Sequence, residues 1–150
     1  MSRLRLRVGE RDERGVEVEL RRRLYEFNVA RTGIDDGRLL VLEVVDAAGA
    51  LVAGLFGWTW GATAYVDLLF VDEDRRGQGL GSRLLAAAED EARARGCTQV
   101  VLATHAFQAP DFYAARGFRE QGRVADYPLG SAQVYLAKQL APARPDAGFA

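Results

Sequence analysis

The sequence predicts a single α/β domain, and three observations carry that expectation. Segments that alternate apolar and polar residues with a period of two are interleaved with segments whose apolar residues return every three to five positions. A glycine-rich turn over residues 75–82 joins a strand-like run to a helix-like one. The 150 residues are 49% apolar and 27% charged, the makeup of one soluble domain with one core and no room for a second.

Taken in order, Leu4, Leu6 and Val8 alternate with Arg3, Arg5 and Arg7, which predicts a first strand. The charges interrupt any continuous apolar core, so this segment does not read as an export signal. Over residues 16–30, Val18, Leu20, Leu24 and Phe27 fall at helical spacing with Arg21, Arg22 and Arg23 on other faces, predicting an amphipathic helix that ends near Gly33. Residues 39–45 and 51–60 read as strands joined by a turn containing Gly49, an antiparallel hairpin. After a turn at Gly61, Ala62 and Thr63, residues 64–71 form a strand rich in apolar and β-favouring side chains, suited to a central position.

That strand runs into the glycine turn. Beyond it Leu80, Leu84, Leu85, Ala88 and Ala92 mark the inner face of a helix, with Glu89, Asp90, Glu91, Arg93 and Arg95 expected outside and Gly96 as its stop. Residues 99–104 read as the next strand. Pro110 and Gly117 bracket a short helix around Phe112 and Tyr113, and residues 118–124 and 132–140 close the fold as strands. The domain is expected to span residues 1–140, with a disordered tail over residues 141–150.

Composition excludes several function classes. Lys and Arg number 20 against 21 Asp and Glu, a net charge of −1 that lacks the positive excess favoured by phosphate backbones, so nucleic acid is not an expected partner. Cys97 is the only cysteine, which rules out an intrachain disulfide and fits a reducing cytoplasm. The most apolar stretch, residues 51–60, is broken by Gly54 and Gly57 and falls well short of the roughly 20 residues a membrane span needs. No histidine, cysteine and carboxylate cluster suggests a metal, and no Gly-x-Ser-x-Gly elbow suggests a hydrolase.

The run Arg75-Arg76-Gly77-Gln78-Gly79-Leu80-Gly81-Ser82 carries the chemistry. A pyrophosphate needs several backbone N–H groups converging on it, and glycine lets the backbone approach with no Cβ in the way. The helix that follows adds unsatisfied donors and a positive dipole end. A dinucleotide fold would require glycine at Ser82 and an acidic ribose ligand where Thr104 and His105 stand; a P-loop would require a Gly-Lys-Ser/Thr ending that the chain lacks.

With these motifs in view, residues 71–85 (VDEDRRGQGLGSRLL) and residues 112–118 (FYAARGF) resemble the GNAT superfamily of acyl-CoA-dependent N-acetyltransferases. The resemblance implies that Arg76, Gly77, Gln78, Gly79, Leu80, Gly81 and Ser82 hold the pyrophosphate of acetyl-CoA, the acyl donor, and that Leu69, Phe70 and Val71 pair with its pantetheine arm. It also implies a mixed sheet with helices on both faces, splayed between the fourth and fifth expected strands, those ending at Val71 and Thr104, with the thioester in the gap. A homodimer is common in similar proteins.

Acyl transfer to an amine needs a neutral nucleophile and a proton for the departing thiolate. A phenol, with a pKa near 10, can donate that proton at neutral pH. Tyr113 matches the family's tyrosine and is the expected acid; otherwise it packs beside Phe112. Asp67 interrupts the apolar run from Tyr65 to Val71 and should be paired, exposed or functional. Alternation puts it on the face of Tyr65 and Leu69, from which it could accept the amine proton.

His105, the only histidine, could relay a proton through water. The family often has an asparagine where this chain has Ala106, and Gln108 could replace its contact to the donor. Trp58, Trp60, Tyr127 and Asn28 fall in regions that shape the acceptor pocket in the family; core packing is the competing role of the aromatics. Cys97 reads as a small buried hydrophobe. The expected activity is acetyl transfer from acetyl-CoA to a primary amine of a small molecule, peptide or protein, the alternative being a non-catalytic acyl-CoA sensor of the same fold.

Overall fold

The computed structural model describes residues 4–142. It divides into two compact units that meet in sequence between Asp35 and Asp36. Arg3 of the expected first strand and residues 143–150 of the expected tail lie outside the described residues, while Ala141 and Pro142 have no regular structure.

The first unit contains one helix, α1 (Val16–Thr32). Asp12 nucleates it: its two carboxylate oxygens accept from the N–H groups of Val16 at 2.5 Å and Glu17 at 3.0 Å, donors with no partner inside the helix. Those bonds, Glu17 first, hold the Asp12 carboxyl below its ordinary pKa. Gly33 ends the helix at φ 72°, its N–H returning to Val29 O at 2.8 Å. Arg21, Arg22 and Arg23 pair with Glu17, Glu19 and Glu26. Val16, Leu20, Leu24 and Phe27 form the helix's apolar stripe, while Val18, expected on it, projects from the opposite side.

Residues 4–9 form no strand, contrary to the expectation from their alternation. Alternation sorts side chains between two faces; only a neighbouring ladder satisfies a strand's N–H and C=O groups, and this segment has none. Leu4, Leu6 and Val8 are accordingly exposed.

The second unit is built on a six-stranded sheet. Its strands are β1 (Arg38–Val45), β2 (Leu51–Trp60), β3 (Thr63–Val71), β4 (Gln99–His105), β5 (Arg119–Ala125) and β6 (Ala132–Gln139), in the spatial order β1-β2-β3-β4-β6-β5. Every neighbouring pair is antiparallel except β3 and β4. The parallel pair requires a crossover, supplied by a single turn of 3₁₀ helix (Glu73–Arg75), the glycine turn and α2 (Leu80–Ala94). A short helix, α3 (Pro110–Ala114), lies between β4 and β5.

The core forms where α2 covers one face of β1, β2 and β3. Leu84, Leu85, Ala88 and Ala92 recur on one side of α2 and are buried with Leu40, Leu55, Ala64, Val66, Val100 and Leu102. Fully burying a side chain such as Leu85 stabilises the fold by about 1.5–3 kcal/mol. Arg95 fixes the far end of the helix, donating to Leu39 O at 2.9 Å and Thr59 Oγ1 at 3.1 Å, while Gly96 reverses the chain at φ 81°.

Glu89, expected on the solvent face of α2, is buried instead. Its carboxylate sits against the ammonium of Lys138, the only lysine of the chain. Burial of that charge is tolerable because its counter-ion, itself partly buried, lies against it.

One irregularity in β3 prepares the site. Phe56 pairs with Leu68 and Gly57 with Val66, so Asp67 is the extra residue of a β-bulge. The bulge permits a close approach: a Cβ on Gly57 would lie 2.0 Å from the Tyr65 carbonyl oxygen. It also corrects the expected alternation. Leu69 pairs with Leu55 on the core side, whereas Tyr65 pairs with Trp58 and Leu68 with Phe56 on the other, so Tyr65 and Leu69 do not share a face.

Candidate active site

The ladder between β3 and β4 runs from Thr63↔Gln99 to Val66↔Leu102 and stops there. Beyond it, residues 67–71 of β3 and residues 103–105 of β4 no longer pair, and a cleft of about 850 Å³ opens along them. Its walls include Asp67, Leu69, Phe70 and Val71 on one strand and Ala103 and Thr104 on the other. The expected splay is thus present, and its origin is visible: the bulge breaks the register of β3 at the first residue past the last rung.

One end of the cleft is the glycine turn. Gly77 and Gly79 both have φ 76°, a left-handed conformation that side-chain-bearing residues adopt at a cost. Gly79 is the N-cap of α2, and no side chain caps the helix. The first bond within α2 runs from Arg83 N–H to Gly79 O at 3.0 Å, leaving the N–H groups of Leu80, Gly81 and Ser82 without helical acceptors. Leu80, Gly81 and Ser82 all line the cleft, so this end of it is an anion site in form and polarity. Gly81 packs beside α3: a Cβ there would lie 3.4 Å from the Phe112 ring, an ordinary contact. Of the turn residues expected to contribute, only Gln78 is absent from the cleft lining.

Three arginines border this end. Arg76 donates from Nε to Val71 O at 3.1 Å, which ties the turn to the strand it leaves, and its guanidinium stands over the Phe70 ring. Arg75 lies beside Asp74 at 3.9 Å. Arg116 was not singled out from the sequence. It donates to Phe112 O at 2.7 Å, lies 3.7 Å from the centroid of the Phe112 ring and contacts Ser82 Oγ. No carboxylate pairs with it among the described residues. Its adjacency to Gly117 in the sequence was the one available signal; its position across from Ser82 follows from how α3 packs.

Tyr113 enters the cleft from α3. Pro110 starts that helix, Gly117 at φ 90° ends the turn after it, and Phe118 N–H returns to Tyr113 O at 3.1 Å. The ring packs edge-on against Phe112 and Phe118, leaving Tyr113 8% exposed. Its hydroxyl has no hydrogen-bond partner among the described residues. Burial pushes the phenol above its ordinary pKa of 10.0, so it holds its proton throughout the neutral range.

Asp67 is exposed at the cleft's edge. Tyr65, two residues earlier, stacks on Trp58 with centroids 4.8 Å apart. Burial, the Asp67 carboxylate and Tyr135 all raise the Tyr65 pKa, burial most. Gln108 lines the cleft with its carbonyl already engaged, accepting from Thr104 Oγ1 at 3.2 Å and His105 N–H at 2.8 Å. Only its amide N–H groups remain for a bound molecule.

The other expected residues stand outside the lining. His105 stacks on Phe107, meets Tyr127 edge-on and has Nδ1 3.1 Å from Tyr127 O, which favours the tautomer protonated at Nδ1. Phe107, not His105, faces the cleft. Trp58 and Trp60 share the β2 face turned away from the core, and Asn28 belongs to α1 in the first unit. Cys97 is buried, and burial raises its thiol pKa.

Comparison with known proteins bears on this geometry. The sequence profile of the Acetyltransferase (GNAT) family matches residues 8–118. A blasticidin-S acetyltransferase of Streptomyces morookaense is 42% identical over 117 residues, covering 73% of this chain and 84% of that protein. Among solved structures, a protein from Agrobacterium tumefaciens is 33% identical with a TM-score of 0.81, over 91% of this chain and all (100%) of that one. An acetyltransferase from Bacillus cereus is 31% identical with a TM-score of 0.73, over 91% of this chain and 98% of that one.

Proposed function

The chain belongs to the GNAT acetyltransferase family, and from that premise we propose that it transfers the acetyl group of acetyl-CoA directly to a primary amine of a small molecule. One observation carries the reading: the gap between β3 and β4 joins a helix N-terminus rich in free N–H donors to a buried phenol that holds its proton. An anion-binding end and a proton donor within one cleft suit a donor with a pyrophosphate at one end and a thioester at the other. The blasticidin-S acetyltransferase, by its name, acts on a small molecule, which favours that acceptor class over a protein.

In this reading the N–H groups of residues 80–82, with Arg76 and Arg116, hold the pyrophosphate. Leu69, Phe70 and Val71 offer strand backbone to the pantetheine amides. The free N–H groups of Gln108 contact the acyl arm. Acetyl-CoA supplies the activated acyl carbon. Asp67 draws the acceptor's ammonium to the gap and, through water, accepts the proton whose loss frees the nitrogen lone pair; the nitrogen then bonds to that carbon and gives its second proton to solvent. Tyr113 gives its hydroxyl proton to sulfur as the carbon–sulfur bond breaks and regains a proton from water. The products are an N-acetyl amine and free coenzyme A, with one proton released overall.

The test is release of free thiol from acetyl-CoA across a panel of small amines. Turnover that keeps its dependence on pH in the wild type and loses one limb in Asp67→Asn supports the base role. Tight acetyl-CoA binding with no thiol release for any acceptor identifies a sensor instead.

A further inference from the structure

The sheet face turned away from α2 bears two tyrosines, Tyr65 and Tyr135, that do not line the donor-binding cleft. Tyr65 on β3 and Tyr135 on β6 stand on this face, on either side of β4. The β4 residues between them, Val101 opposite Tyr65 and Ala103 opposite Tyr135, are small. Two strand spacings and an offset of two residues along the strands separate the two backbones, roughly 12 Å on the diagonal. Long aromatic side chains on a diagonal of this kind can both reach a ring lying over Val101 and Ala103.

Trp58 stacks behind Tyr65 at 4.8 Å and fixes its ring, while Tyr135 is 43% exposed. Asp67 supplies a carboxylate two residues along β3 from Tyr65, and Ala103 belongs both to the floor between the tyrosines and to the lining of the donor cleft. The trough is therefore continuous with the gap in which an acyl group would lie.

We propose that the acceptor is an amine carried on a flat, unsaturated ring, with the ring held between Tyr65 and Tyr135 and the ammonium at Asp67. The inference rests on the acetyl-transfer reading and adds its substrate class. Aromatic contacts on two sides, with the cation placed by a carboxylate, select a planar ring over a saturated ring of equal size.

The experiment compares 2-phenylethylamine and tryptamine with 2-cyclohexylethylamine and n-hexylamine, by thiol release and by quenching of tryptophan fluorescence without donor. The expected result is a preference of about tenfold in kcat/KM for the flat-ring amines. Tyr135→Leu should abolish the preference and Tyr135→Phe keep it, both with an unchanged KM for acetyl-CoA. Equal turnover of the phenyl and cyclohexyl amines overturns the inference and leaves acetyl transfer standing. Ring-selective quenching without thiol release leaves the inference standing and overturns acetyl transfer. Absence of both quenching and turnover with the flat-ring amines overturns the inference.

Discussion

Arg116 holds its guanidinium 3.7 Å from the centroid of the Phe112 ring while donating to the carbonyl of the same residue, and its remaining nitrogen contacts Ser82 in the first turn of α2. The cation is thus immobilised beside the anion-binding turn with no carboxylate to neutralise it among the described residues. Arg116→Met keeps much of the aliphatic volume and removes the charge. A charge-assisted contact is worth about 1.5–3 kcal/mol, so KM for acetyl-CoA should rise by roughly ten- to a hundredfold with kcat changed far less. Steady-state kinetics at saturating amine measure both.

Tyr113→Phe keeps the ring contacts with Phe112 and Phe118 and deletes only the hydroxyl. If that hydroxyl protonates sulfur, kcat should fall by at least about 10²-fold while the affinity for acetyl-CoA is retained. A second readout follows from the direction of its pKa. The folded state holds the phenolic proton to higher pH than the unfolded chain, so the stabilisation is complete below pH 10.0 and is lost as pH rises through the folded value. Thermal melts above pH 10 should therefore fall less steeply for Tyr113→Phe than for the wild type.

Gly79→Ala introduces a Cβ at φ 76°, where space is open but the backbone conformation is unfavourable. The cost is about 1–2 kcal/mol, seen as a drop of several degrees in Tm. Because the same residue caps α2 and shapes the anion-binding turn, calorimetry should also show weaker acetyl-CoA binding.

Gly57→Ala is expected to be worse although Gly57 lies within β2, outside the glycine turn. Its Cβ would fall 2.0 Å from a backbone oxygen of Tyr65, which cannot rotate aside. The strands must separate where the bulge begins, and the loss should be about 3 kcal/mol or more. Urea denaturation gives the value, and activity should decline with it because the opening beyond Val66 is set by that bulge.

Much of this was legible in the sequence, for local reasons. Gly77 and Gly79 announce a turn because their backbone angles are a property of the residues themselves, and Gly33 and Gly96 announce helix ends in the same way. What local pattern cannot carry is the identity of a partner. Leu4, Leu6 and Val8 alternate as a strand does and remain unpaired. Asp67 was rightly marked as the odd residue of β3, but its bulge is a relation between two strands, and alternation therefore assigned Leu69 to the wrong face. Glu89 was placed in solvent because its partner, Lys138, lies 49 positions away on β6. Arg116 escaped notice for a similar reason, since the contact that gives it meaning spans 34 positions.

The pairing of Lys138 with Glu89 has a chemical corollary under the acetyl-transfer proposal. Of the 20 basic side chains, 19 are guanidinium groups, which stay protonated and do not compete as nucleophiles; Lys138 alone bears a side-chain amine. Its nitrogen is engaged by the Glu89 carboxylate. In the proposed reaction the thioester therefore meets no unengaged lysine of the protein itself.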